Sequence, residues 1–166
     1  MEGITKMNYC EYQNSDLLKQ KEAMNLINER DLASERLTRK VKTATCDLKI
    51  RNCKATGGDT NPFGAWKEYW QEVIPQDFPE KGTCPKCGKV TELEGAHVWI
   101  GNDDTQYYII PMCHDCNVED HQLFCPKCEY EMAWVDYSVA TKGKLHLKYD
   151  KERQKAGQSC ETKVDL

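Results

Sequence analysis

The chain has 166 residues, a formal net charge of -4, 39% hydrophobic residues and 30% charged ones. So low an apolar fraction argues against one large hydrophobic core, and the ten cysteines become the candidates for holding the fold. The acidic balance, with a pI near 5.6, excludes a general basic grip on nucleic acid.

The opening stretch Met1-Glu2-Gly3-Ile4-Thr5-Lys6 carries no apolar leader. The longest apolar runs, such as Tyr107 to Met112, are too short to span a bilayer. The expectation is a soluble, intracellular (cytoplasmic) protein without a membrane partner. In a reducing compartment its cysteines read as metal ligands or free thiols.

Residues 1–55 read as an N-terminal helical segment. Asn14-Ser15-Asp16 offers a helix cap, and Leu17, Met24, Ile27, Leu37, Val41 and Ala44 recur at helical intervals without a Pro or Gly between them. This predicts a long helix to about residue 44 with one narrow apolar stripe. A basic run follows: Arg36, Arg39, Lys40, Lys42, Lys49, Arg51 and Lys54 against one acid, Asp47. It reads as a solvated helix face; six of these residues (Arg36, Arg39, Lys40, Lys42, Arg51 and Lys54) are also the candidate nucleic-acid contacts.

Residues 55–62 form a loop. Pro62 to Ile74 predicts a short helix, with Phe63, Trp66, Tyr69, Trp70 and Val73 on one packing face. A second domain spans 62–150. Within it, Gly95 to Ile100 and Gln106 to Met112 predict a hairpin. Ala133 to Ala140 and Lys144 to Tyr149 predict a C-terminal hairpin, with His146 on its exposed face. Residues 151–166 read as a disordered polar tail.

The cysteine pattern is Cys84-x2-Cys87-x25-Cys113-x2-Cys116. Four thiolates close a tetrahedral zinc shell, and each x2 loop bites the metal without strain. A strand hairpin followed by a helix around one zinc is the treble-clef order. The fold class expected is therefore α+β: a zinc-stabilised treble clef (ββα) with a long N-terminal helix and a C-terminal β-hairpin. A second zinc would use Cys125 and Cys128 with partners from Cys46, Cys53 and His121, or from His114, Cys10 and Cys160. A zinc ribbon joining the two Cys-Pro-Lys-Cys knuckles is the alternative pairing. His114 is expected to face solvent.

The segments CPKCG, GAHV and YYIIPMCHDCN, within residues 63–118, resemble the HNH-type treble clef. They resemble more closely a set of small bacterial and phage proteins with Gly-Ala-His-Val, then Tyr-Ile-Val/Ile-Pro, then Cys-x2-Cys-Asn. The resemblance implies that His97 is a general base and that Asn117 stands at the last metal-binding position, with Mg or Mn as the catalytic ion. The chain departs from the pattern at Ala96, where a metal-binding Asp precedes the base, near Tyr107 or Tyr108 in place of the central Asn, and near Asp120 in place of a Lys. Two readings follow. One is a zinc-binding module of HNH-like architecture and degenerate active site, binding a protein or nucleic-acid partner, such as a phage or mobile-element regulator or inhibitor. The other is an active metal-dependent endonuclease. The surplus cysteines also fit a redox or metal-sensing protein.

Overall fold

The computed structural model describes residues 9–164, with side chains at 16–24 and 29–157. The chain divides into two compact units, Met1–Arg36 and Leu37–Leu166. The first carries α1 (Tyr9–Arg36), on which Leu17, Leu18, Met24 and Leu32 are exposed. The helix begins ahead of the expected cap and ends before residue 44. The β-branched Thr38, Val41 and Thr43 that follow favour an extended chain.

In chain order the second unit contains β1 (Val41–Ala44), β2 (Ile50–Asn52), α2 (Trp66–Val73), β3 (Lys81–Thr83) and β4 (Val90–Glu92). There follow β5 (Glu94–Ile100), β6 (Tyr107–Met112), α3 (His114–Asn117), β7 (Tyr130–Trp134) and α4 (Lys144–Val164). The unit is mixed α+β. Its main sheet is antiparallel in the order β1-β7-β6-β5-β2, and β3 and β4 form a separate two-stranded ribbon. Every residue of β6 is buried, as a near-continuous apolar central strand should be. Around it Ile50, Val98, Ile109, Ile110, Met112 and Met132 have lost essentially all contact with water.

Helix α2 packs on β5, β6 and β7 with the predicted face, burying Tyr69, Trp70 and Val73. Its aromatic polar atoms are spent on the neighbouring strand. Trp70 Nε1 donates to Glu131 O at 2.9 Å, and Tyr69 OH donates to Trp134 O at 3.0 Å while accepting from Asp136 N at 2.8 Å. This satisfies groups that burial would otherwise leave unpaired. Gly95 lets α2 lie directly on β5, because a β-carbon there would stand 2.8 Å from Trp66 C.

The β5–β6 hairpin forms where expected. Three other expectations fail. The boundary at residue 55 does not divide the fold, since β1 and β2 pair into the main sheet. The C-terminal hairpin is absent: after β7 the chain turns and Lys144 onward is α4. Leu145 and Leu147 mimic strand alternation, but both are exposed, and the inward face is His146, Tyr149, Asp150 and Arg153, at helical spacing. The expected tail from residue 151 continues this helix to Val164. Among the described residues no helix is long and apolar enough to cross a membrane.

Candidate metal centre and the adjoining cavity

The β3–β4 ribbon exists to make a turn. Cys84 N donates to Lys89 O at 2.8 Å, and Gly88 N to Cys84 O at 2.9 Å, so residues 84–89 curl tightly and point two thiols the same way. Gly88 has φ +79°, a left-handed value that only glycine adopts without strain. The second pair comes from the end of β6 and from α3, with Cys113 capping that single helical turn and Cys116 inside it.

The Sγ atoms of Cys84, Cys87, Cys113 and Cys116 all lie within 4.8 Å of one another. The Cys87–Cys113 separation is 3.8 Å, close to the roughly 3.8 Å that sulfur bonds of about 2.3 Å to a tetrahedral ion require. Cys84, Cys113 and Cys116 are buried and Cys87 is half-buried. Burial raises the Cys84 thiol, but backbone N–H groups at Cys87, Cys113 and Lys86 outweigh it and bring the pKa down to about 7. Cys113 and Cys116 are pushed up by burial and, in the balance, by the neighbouring thiols. Four thiolates resist coexisting until a cation neutralises them. The four residues are placed to coordinate one metal ion.

No protein-family model, no curated protein and no solved structure matches this chain.

Among the described residues no second group of three or more ligands assembles. The Cys125–Cys128 knuckle packs against the first through Lys127 N to Pro85 O at 2.8 Å. Its own Cys128 Sγ donates to Thr83 O at 3.5 Å, and Cys125 is exposed. It lacks the glycine that closes the first knuckle, since Glu129 occupies the equivalent place. Pairing Cys113 and Cys116 with Cys84 and Cys87 replaces the ribbon alternative. Cys46 is exposed, and burial raises the Cys53 thiol well above its usual range. His121 lies beyond the end of α3 and donates from Nδ1 to Asn52 O at 3.2 Å. The side chains of Cys10 and Cys160 lie outside the described residues.

Asn52, in the stretch read as a basic surface, is an unanticipated part of the centre. It is 2% exposed and donates from Nδ2 to Cys116 O at 2.7 Å, holding the last turn of α3. Its flanking charges concealed it in the sequence.

His97, half-buried on β5, itself lines a cavity of about 600 Å³, together with Thr56, Trp66, Glu94, Gly95 and Asn117. Its ring is edge-on to Trp66 at 4.7 Å and to Tyr107 at 4.9 Å. Thr56 Oγ1 lies 3.0 Å from Nδ1, while Nε2 is closed off from water and has no hydrogen-bond partner. Burial lowers the pKa of His97 to about 4, with Asp59 opposing and His146 reinforcing the shift. Ala96 is fully buried. The carboxylate that does reach the cavity is Glu94, which accepts from Asn117 Nδ2 at 2.6 Å and from His114 Nδ1 at 3.1 Å. His114 is exposed, as expected.

The basic residues do not form one helix face. Arg36 ends α1. Arg39 bonds Glu72, Lys40 lies over the Trp134 ring, and Arg51 donates to Gly101 O while stacking on Trp99 at 4.3 Å. Lys42 and Lys54 are exposed.

Proposed function

We propose that the chain is a zinc-structured module of HNH-like, treble-clef architecture with an incomplete catalytic constellation, and that it acts by binding a protein or nucleic-acid partner. The set of four thiolate donors supports zinc over harder cations, which prefer oxygen ligands. When bound, zinc ties the β3–β4 turn to α3 and supplies folding energy. The chain's own residues do the rest: Asn52 steadies the α3 end, and the long N-terminal helix, with Leu17, Leu18, Met24 and Leu32 exposed, offers surface to a partner.

The observation that carries this reading is the closure of one atom, Nε2 of the half-buried His97. A general base must reach the proton it takes, yet Nε2 makes no contact with water, and a buried alanine replaces the preceding carboxylate. Several basic residues are also committed within the fold, which favours a protein partner. The test is a cleavage assay on plasmid and single-stranded DNA with Mg²⁺, Mn²⁺ or Ni²⁺. No cleavage with any ion supports the binding module. Nicking that disappears in His97→Ala, with zinc content intact, overturns it.

One observation favours the nuclease as the second reading. Glu94 and Asn117 border the same cavity as His97, whose Nε2 is unpartnered. If Nε2 became accessible, Glu94 would stand in for the missing Asp as the ligand of Mg or Mn, with Asn117 at the last position. Under this reading Glu94→Gln abolishes metal-dependent nicking as completely as His97→Ala.

A further inference from the structure

We propose that residues 55–60 form a strap closed over His97, latched to the start of α4 through Asp59. The inference concerns access to His97 and holds whichever of the two readings applies.

The strap touches the histidine directly. Thr56 meets Nδ1, and Cys53 N, just ahead of the strap, donates to His97 O at 3.0 Å. Ala55, Thr56 and Gly57 form one wall of the cavity. Ala55 has φ +64°, a left-handed conformation that crowds its β-carbon and is held only if neighbouring contacts impose it.

Those contacts lie downstream. Asp59, its side chain sealed from water, accepts three hydrogen bonds: from Gly143 N at 2.8 Å, from Tyr107 OH at 2.8 Å and from His146 Nδ1 at 2.7 Å. Thr60 and Thr141 exchange backbone bonds at 2.9 and 2.8 Å, and Asp59 N donates to Thr56 O at 3.0 Å. Asp59 therefore holds two of the three neighbours of the His97 ring: Tyr107 through its carboxylate and Thr56 through its backbone N–H. On the α4 side, His146 Nε2 lies 3.7 Å from Asp150 Oδ1. Asp150 in turn meets Lys142 at 2.7 Å and Arg153 at 3.4 Å. The latch joins segments far apart in sequence and is almost entirely polar, so its release need not disturb the apolar sheet core. Release would free Nδ1 from Thr56 and open the cavity wall formed by residues 55–57.

The test uses the full, metal-loaded chain and two variants that act differently. His146→Leu removes a donor to Asp59. Gly143→Ala leaves the polar groups in place but puts a β-carbon 2.7 Å from Gly58 C, prising the strap away. His97 titration by NMR and amide exchange at Asp59 and Thr60 are the readouts. In the parent chain His97 should titrate near pH 4 and both amides should be protected. In both variants the two amides should exchange about tenfold faster or more, with metal content and near-ultraviolet dichroism unchanged. The titration should move towards the ordinary histidine range in Gly143→Ala, which keeps the His146 charge that by itself lowers the His97 pKa. Unchanged titration and exchange in folded variants would overturn the proposal. So would a variant that loses metal and tertiary structure together, because the segment would then belong to the core.

Discussion

Asn117 donates to Glu94 across 2.6 Å, tying the last residue of α3 to the first residue of β5. The bond joins the turn that carries Cys116 to the strand that carries His97. It is partly exposed, and the Glu94–His114 pair beside it is open to solvent. Asn52 supports the same turn from the buried side.

These two supports should differ in weight. Glu94→Ala should cost about 1 kcal/mol, the net worth of an exposed hydrogen bond. Asn52→Ala removes the shortest hydrogen bond to the buried Cys116 carbonyl, at 2.7 Å, leaving it the longer one from Glu119 N at 3.3 Å, and should cost about 2 kcal/mol while weakening metal affinity roughly tenfold or more. Urea unfolding with metal competition measures both. Equal effects would mean that the buried amide plays no special part.

The cysteines should sort into two classes. Cys84→Ser or Cys113→Ser should reduce bound metal from one ion per chain to near zero. Because a structural zinc contributes on the order of 10 kcal/mol, the cooperative unfolding transition should disappear as well. Cys46→Ser, Cys125→Ser and Cys128→Ser should keep one ion. Metal analysis by mass spectrometry decides, and loss of metal in Cys128→Ser would show that the second knuckle takes part.

The metal ligands were legible in the sequence because an x2 bite and a glycine closure are local requirements. The β5–β6 hairpin and α2 were legible for the same reason: each carries its periodicity within a few residues. What escaped was long-range. Asn52 lies 64 residues from its partner Cys116, and Asp59 lies 87 residues from His146. Helix α4 was hidden because its buried face is polar, so the apolar residues that suggest a strand are those left in water. The state of His97 was likewise invisible, since Thr56, Trp66 and Tyr107 come from three different elements.

His97 should leave a signature in the pH dependence of stability. Its folded pKa lies near 4 against an ordinary 6.5. Between those values the unfolded chain binds a proton that the folded chain does not, so stability is complete above pH 6.5, falls as pH drops towards 4 and levels off below. The span amounts to about 3 kcal/mol from this group. Comparing urea midpoints of the parent chain and His97→Gln at equal metal loading removes the contribution of the thiolates. The variant should lose most of the slope in this window. Parallel profiles would show that the histidine is not enclosed.

Gly95 offers a test of how α2 is seated. Its missing side chain lets the backbone of Trp66 and Lys67 lie against β5, and an added β-carbon would stand 2.8 Å from one main-chain atom and 2.9 Å from another. Neither neighbour is a side chain that can swing aside, so the helix itself must shift. Gly95→Ala should therefore destabilise the domain by about 1–3 kcal/mol, in the range of overpacking. It should also loosen the ring contacts of Trp66 with His97, because the residue that approaches Gly95 is the one that covers the histidine. Thermal unfolding gives the first effect, and the His97 titration gives the second as a rise towards the ordinary range. A destabilised variant with an unmoved His97 would mean that α2 shifts as a body together with the cavity wall.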